Sequence, residues 1–219
     1  MSPRVVIQTN TSEKIGALTY VTLKNKRGYA AKHGYVTRCY EFDYENYNNS
    51  IKDYLFQTLK NLHDFDVVMT MGADTMFMNW RIKIEDVLGD EQIVMARERT
   101  TWWPINDDVM IWRSTPQVIE FYERLINDYA VWSKYPWRLQ THLWNLLQDD
   151  EQAQELIKLV EPEVMNQHPT RWQLGQWVVH MYNMGVDDKI KQAVIFDNNW
   201  PTGEPVWKVE NDSVRPGVI

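Results

Sequence analysis

The order of segments between residues 5 and 71 predicts an α/β fold with a mainly parallel central sheet flanked by helices. Three observations carry that expectation. Val5-Val6-Ile7 and Val67-Val68-Met69 are continuous apolar runs, as in strands buried on both faces. Ile51, Leu55, Leu59 and Leu62 recur between them at helical spacing. The segments follow one another as strand, helix, strand, helix, strand, and in such sheets ligands gather beyond the C-terminal strand ends.

The first strand ends in Gln8-Thr9-Asn10, polar groups delivered to that ligand edge. Asn10-x-x-Glu13 then reads as a capping box. Ile15, Leu18, Val21, Thr22, Asn25, Tyr29 and Ala30 give a helix that stops at Gly34, and Tyr35 to Tyr40 a second strand. A polar turn over Asn46 to Ser50 leads into the second helix, and Phe65 to Met71 form the next strand. A short helix over Ile82 to Leu88 and strands over Gln92 to Ala96 and Asp107 to Trp112 follow. Ser114-Thr115-Pro116 opens a helix, because a hydroxyl cap before proline is a strong start signal; Val118, Phe121, Tyr122 and Leu125 lie on its apolar face. Leu139 to Leu147 and Glu151 to Val160 read as further helices, and a strand-like segment ends at His180. One domain over 1–197 and a Pro- and Gly-containing tail over 198–219 are expected.

Composition excludes several function classes. The 219 residues carry 23 Lys and Arg against 30 Asp and Glu, a net charge of −7, which argues against a uniformly basic nucleic-acid or membrane-surface protein. The single cysteine, Cys39, can form no intrachain disulfide and points to a reducing compartment. No apolar run reaches the roughly 18 residues of a membrane helix. Eleven Trp and eleven Tyr supply flat faces that suit a core, a sugar ring or a base.

Phe65 to Thr75 is the most informative stretch: an apolar strand that ends in the turn Gly72-Ala73-Asp74. A carboxylate there is held by the sheet at the ligand edge, where it can bind a hard divalent cation or cap the next helix. His180 ends a second strand-like segment, and imidazole with carboxylate suits Mn²⁺. His33, His63, His142 and His168 read as structural histidines.

With those residues in view, the chain resembles the galactosyl-, mannosyl- and xylosyltransferases typified by fungal Golgi α-galactosyltransferases and plant xyloglucan xylosyltransferases. The likeness spans about Lys24 to Met184. It rests on Asn25-x-x-x-Tyr29-Ala30-x-x-His33-Gly34-Tyr35, the Lys52 helix, Ala73-Asp74-Thr75, the Asn106 segment and Gly175-x-x-Val178-Val179-His180. It implies a GT-A, Rossmann-like fold and a retaining hexosyl- or pentosyltransferase that uses a nucleoside-diphosphate sugar with Mn²⁺ or Mg²⁺. Asp74 matches the second acid of the family's D-x-D motif and His180 its late metal ligand. Gly72 stands where the first acid would be, so either metal binding is weaker, Asp66 or Asp107 substitutes, or the site is degenerate.

The resemblance also assigns Asn106, Asp107 and Asp108 to the strand facing the transferred sugar, and Gln140 to a place near the anomeric carbon. The two acids read equally well as an exposed turn, and Gln140 as a helix-surface residue. Lys52, Arg97 and Arg99 are candidate contacts for the diphosphate, and Gln8, Thr9 and Asn10 for the nucleoside. Eukaryotic members carry an anchor and stem ahead of the catalytic domain. Here the first strand starts at once, which points to a bacterial or phage enzyme of the cytoplasm. The expected acceptor is a glycan, or else a hydroxymethylated base in phage DNA met by the basic cluster Lys24, Lys26, Arg27, Lys32 and Arg38. Trp102, Trp103, Trp132 and Trp137 could line an acceptor groove. A non-catalytic sugar- or nucleotide-binding module on a decayed transferase scaffold is the alternative of a different class.

Overall fold

The computed structural model describes residues 2–41, 47–99 and 104–199. Its strands are β1 (Val5–Thr11), β2 (Val36–Glu41), β3 (Val67–Met71), β4 (Thr75–Phe77), β5 (Ile93–Arg97), β6 (Ile105–Arg113), β7 (Ile157–Val160) and β8 (Val178–His180). Helices α1 (Gly16–His33), α2 (Tyr47–Asp64), α3 (Ile84–Leu88), α4 (Pro116–Asn127) and α5 (Tyr129–Trp132) precede α6 (Arg138–Asp149), α7 (Glu151–Leu156), α8 (Pro162–Met165) and α9 (Val186–Asn199).

Six strands form one sheet in the order β2-β1-β3-β6-β5-β7, and β4 pairs with β8 in a second. β1 runs parallel to both β2 and β3, and β5 parallel to β7. Only β6 runs against its neighbours, pairing antiparallel with β3 and β5. Reversing one strand brings its start, rather than its end, to the edge where β1 and β3 finish.

The period-two alternation of buried strands divides the core in two. Val6, Val68, Met110 and Trp112 pack with Leu55 and Leu62 of α2 and with Val118, Phe121 and Leu125 of α4. Val5, Ile7, Met69 and Ile111 point to the other face, against Tyr29 of α1 and Ile84 of α3. A third cluster joins Leu18 of α1 and Met76 of β4 to Ala193 and Phe196 of α9.

Local signals act where expected at two helix ends. Gly34 closes α1 in the left-handed region, φ 76°, with its N–H on the Ala30 carbonyl. Thr115 caps α4 by accepting from the Val118 N–H.

Three expectations are corrected. Asn10 caps no helix: Asn10 and Thr11 still pair with Tyr40 and Glu41 of β2, and a 3₁₀ turn over Glu13–Ile15 leads into α1. Tyr47 to Ser50 belong to α2 rather than to a turn. The segment read as one helix over Glu151 to Val160 breaks at Ile157, because Ile157–Val160 completes the sheet beside β5. The tail beyond Asn199, and Trp102 and Trp103, lie outside the described residues. Among the described residues no helix is long and apolar enough to cross a membrane.

Candidate active site

Five segments meet at the edge where β1 and β3 end. They are Asn10-Thr11 of β1, the Gly72–Asp74 turn, Asp107-Asp108 at the start of β6, His180 of β8 and Lys189 of α9. Antiparallel pairing of β3 with β6 sets Met71 against Val109, and the Gly72 N–H donates to the Asp108 carbonyl at 2.9 Å. His180 is pinned through its backbone: it pairs with Thr75, its N–H donates to the Gln167 carbonyl, and the Met181 N–H donates to the Asp74 carbonyl.

Asp74, Asp108 and His180 each bring one ligand atom into a group whose members lie within 4.8 Å of one another. His180 Nε2 is 2.8 Å from Asp108 Oδ2 and 3.4 Å from Asp74 Oδ1. On the ring's other side, Nδ1–H donates to Asn166 Oδ1 at 2.7 Å, which turns the Nε2 position toward the two acids. The His180 side chain is 1% exposed, and its Nε2 makes no aligned hydrogen bond: the carboxylates lie beside it but off the direction a bond requires. A lone pair at Nε2 would face two carboxylates, an arrangement that either a bound divalent ion or a proton relieves. This N,O,O donor set and its oriented histidine fit a divalent ion such as Mn²⁺ or Mg²⁺. With a proton there instead, burial opposes the imidazolium but Asp74 and Asp108 outweigh it, holding His180 up at about 10. Burial likewise pushes the Asp74 carboxyl up, yet His180 and Lys189 together hold it well below the usual carboxylate range.

Gly72 makes room for this arrangement. A Cβ at residue 72 would stand 3.0 Å from Asp74 Oδ1 and 3.1 Å from both Asp108 Cγ and Asp108 Oδ1. The Asp108 carboxylate therefore occupies the space of a side chain at residue 72. Neither substitute expected from the sequence joins the group. Asp66 lies at the opposite end of β3, paired with Arg4. The half-buried Asp107 lines the cavity beside the group, its carboxyl pushed up to about 7 by burial with Asp108 adding.

Behind the turn lies Lys26, fully buried, donating to the Gly72 carbonyl at 2.6 Å and to Thr9 Oγ1 at 3.1 Å. Burial pulls its ammonium down to about 8, while Asp74 works in the opposite direction. Of the basic cluster expected to meet DNA phosphates, Lys26 is thus buried, and Lys24 and Arg38 are paired with Asp197 and Asp64.

An open cavity of about 770 Å³ spreads over the site. Its walls include Asn10, Asp74, Asp107, Asp108 and Lys189 together with Trp132, Tyr135, Trp137, Arg138 and Leu139 of the α5–α6 region. Gln8 is buried with its amide bonded to Thr58 and Asn61, and Thr9 donates to the Met71 carbonyl, so of the three polar residues at the end of β1 it is Asn10 that lines the cavity. Asn106 is buried, accepts from the Asp108 N–H at 3.0 Å and donates to Glu98, thereby orienting Asp108. Gln140 is buried in the first turn of α6, one residue past the lining Leu139. Lys52 is exposed and rests 5.0 Å from the Tyr129 ring centroid. Arg97 and Arg99 pair with Glu161. His33 and His168 bond backbone carbonyls, of Trp80 and Tyr182.

Two residues of the site escape sequence reading altogether, Asn166 and Lys189. For Lys189 a signal existed: Gly185, acids at 187 and 188, then Ile190, Ala193 and Val194 at helical spacing.

No protein-family model matches the sequence, and no curated protein matches it. Solved structures do. A glycosyltransferase involved in glycosylating the major capsid protein of the virus PBCV-1 superposes with a TM-score of 0.69 at 14% identity, over 88% of this chain and all of that one. The glycosyltransferase GlyE of Streptococcus pneumoniae TIGR4 gives 0.52 at 12% identity, over 95% of this chain and 66% of its own. The bifunctional glycosyltransferase WbbM gives 0.57 at 9% identity, over 88% of this chain and 50% of its own. The chain has the GT-A fold.

Proposed function

We propose that the chain is a metal-dependent glycosyltransferase, moving a hexose or pentose from a nucleoside-diphosphate donor to an acceptor hydroxyl with retention of configuration. The observation that carries this reading is the buried, unaligned Nε2 of His180 facing Asp74 and Asp108, next to Lys189, at the ligand edge of a fold shared with glycosyltransferases. A divalent ion, Mn²⁺ or Mg²⁺, held by Asp74, Asp108 and His180 would supply positive charge for the donor diphosphate.

The chain's own groups do the rest. Breaking the glycosidic bond loads negative charge onto the diphosphate, and the Lys189 ammonium, already beside Asp74, is the donor aimed at it. Asn10 receives the nucleoside at the end of β1, with Gln8 and Thr9 holding that strand end in place. Asp107 accepts hydrogen bonds from hydroxyls of the transferred sugar, while Asn106 sets the Asp108 backbone. Gln140 takes the place near the anomeric carbon, and Lys52 reaches the phosphates from the Tyr129 face. The acceptor is a glycan rather than DNA, a preference supported by the burial of Lys26 and by the acidic partners of Lys24 and Arg38.

The test is a thermal-shift series against UDP-, GDP-, CMP- and dTDP-sugars with Mn²⁺ or chelator. A donor at ~100 times its Kd adds roughly 2.7 kcal/mol, and that stabilisation should vanish with chelator. If no donor class stabilises the protein, the transferase reading gives way to a binding module without transfer chemistry.

A further inference from the structure

We propose that the cavity wall formed by the α5–α6 connection is an acceptor subsite for a pyranose ring, with the Trp137 indole as the surface on which the ring stacks. The inference rests on the transferase reading for the word acceptor, and on separate observations for the subsite.

Trp137 is 62% exposed, yet it borders the same cavity as Asp74 and Asp108. Its backbone lies in the left-handed region, φ 58°, and that of Arg138 follows at φ 45°. Bulky residues rarely adopt that conformation, and two in succession direct the chain away from a simple helix start. The turn is braced by its own backbone, with Arg138 N–H on the Tyr135 carbonyl and Gln140 N–H on the Trp137 carbonyl. An indole is thus held at the cavity rim instead of being folded into the core, where Trp112, Trp132 and Trp177 sit.

The same cavity is lined by Asn10, Asp107, Asp108 and Lys189, the groups assigned above to the donor and its metal, so a ring on Trp137 shares one cavity with the transferred sugar. A pyranose carries an apolar C–H face and a rim of hydroxyl donors. An indole face complements the C–H face, and the polar lining of the cavity can meet the hydroxyls. The cavity volume of about 770 Å³ lies in the upper part of the roughly 300–1,000 Å³ range for small-molecule sites, which leaves space for a second sugar beside a donor.

The experiment is saturation-transfer NMR with methyl glucoside, galactoside, mannoside and xyloside on wild type, Trp137→Ala, Trp137→Tyr and, as an exposed aromatic outside the cavity lining, Tyr20→Ala. Thermal shift with nucleotide sugars and Mn²⁺ runs in parallel. Expected is transfer to ring protons of at least one pyranoside, about tenfold weaker binding in W137A, equivalent to ~1.4 kcal/mol, recovery in W137Y, and no change in Y20A. Equal contact in W137A, or no contact with any pyranoside in wild type, overturns the subsite while the nucleotide-sugar shift still reports on the transferase reading. Loss of that shift in W137A, with pyranoside contact kept, puts the indole under the donor base and also overturns it. Pyranoside contact that depends on Trp137 in a protein stabilised by no nucleotide sugar supports the subsite and removes the transferase reading alone.

Discussion

Lys189 Nζ stands 2.5 Å from Asp74 Oδ2, joining the turn after β3 to the first part of α9 across 115 residues of sequence. The pair is mostly buried, with side-chain exposures of 19% and 15%. It leaves the other carboxylate oxygen, Oδ1, facing His180. One acid thereby faces an ammonium with one oxygen and the imidazole with the other.

Lys189→Met removes a cation aimed at the leaving group. The expected result is a loss of roughly 10²- to 10³-fold in kcat for nucleoside-diphosphate release, the scale for deleting one preorganised donor. Lys189→Arg should recover part of it. Steady-state kinetics with the donor found by thermal shift decide the matter, and a pure rise in donor KM would confine Lys189 to ground-state binding.

Asn166 touches His180 but no acid, so Asn166→Ala tests orientation alone. Losing the partner of a metal-binding histidine costs about 10- to 100-fold in metal affinity. Isothermal titration with Mn²⁺ should show that loss, whereas unchanged affinity would mean that the ring is held by its neighbours without the amide.

Gly72→Ala places a methyl 3.0–3.1 Å from the carboxylates of Asp74 and Asp108. Those acids must move apart, so Mn²⁺ affinity falls and stability drops by about 1–3 kcal/mol, the usual range for overpacking. Chemical denaturation with and without Mn²⁺ separates the two effects. An alanine variant that binds Mn²⁺ as tightly as wild type would show that Asp108 is not a ligand.

Lys26 makes stability depend on pH in a defined sense. Its ammonium is held down at about 8 in the fold against an ordinary value of 10.5, so between those values the unfolded chain binds the additional proton and stability rises with pH. Full extent is of the order of 3 kcal/mol. His180, held up at about 10, acts oppositely, since its stabilisation is complete below 6.5 and is lost as pH approaches 10. Lys26→Met leaves that histidine in place and orphans no carbonyl, because Thr75 Oγ1 also donates to Gly72 O. The wild-type minus K26M difference in urea-unfolding free energy should therefore grow between pH 8 and 10; parallel curves would contradict a depressed Lys26.

The sheet was legible because Val5 to Ile7 and Val67 to Met71 are apolar without interruption, and a chain buries such runs on both faces. Three-residue β4 and four-residue β7 were not, since pieces of that length carry no periodicity to read, whereas β8 showed as a strand-like segment ending at His180. Asp74 and His180 could be singled out as residues that end strands. The meeting of Asp108 with them depends on β6 alone running backwards, and no local pattern encodes strand direction. Lys26 was hidden for another reason: lysine in a helix reads as surface, and only the carbonyl of Gly72 and the hydroxyl of Thr9 explain its burial.

The placement of β8 and α9 near the end of the described chain has a consequence for synthesis on the ribosome. All six strands of the main sheet are complete once Val160 has emerged, but β4 waits for Val178–His180, and the ammonium for Asp74 comes only with α9. An unfinished polypeptide holds Asp74 and Asp108 with neither the imidazole nor Lys189. It can assemble its scaffold early, yet the Asp74–Asp108–His180 group and its lysine come together only after β8 and α9 have been made.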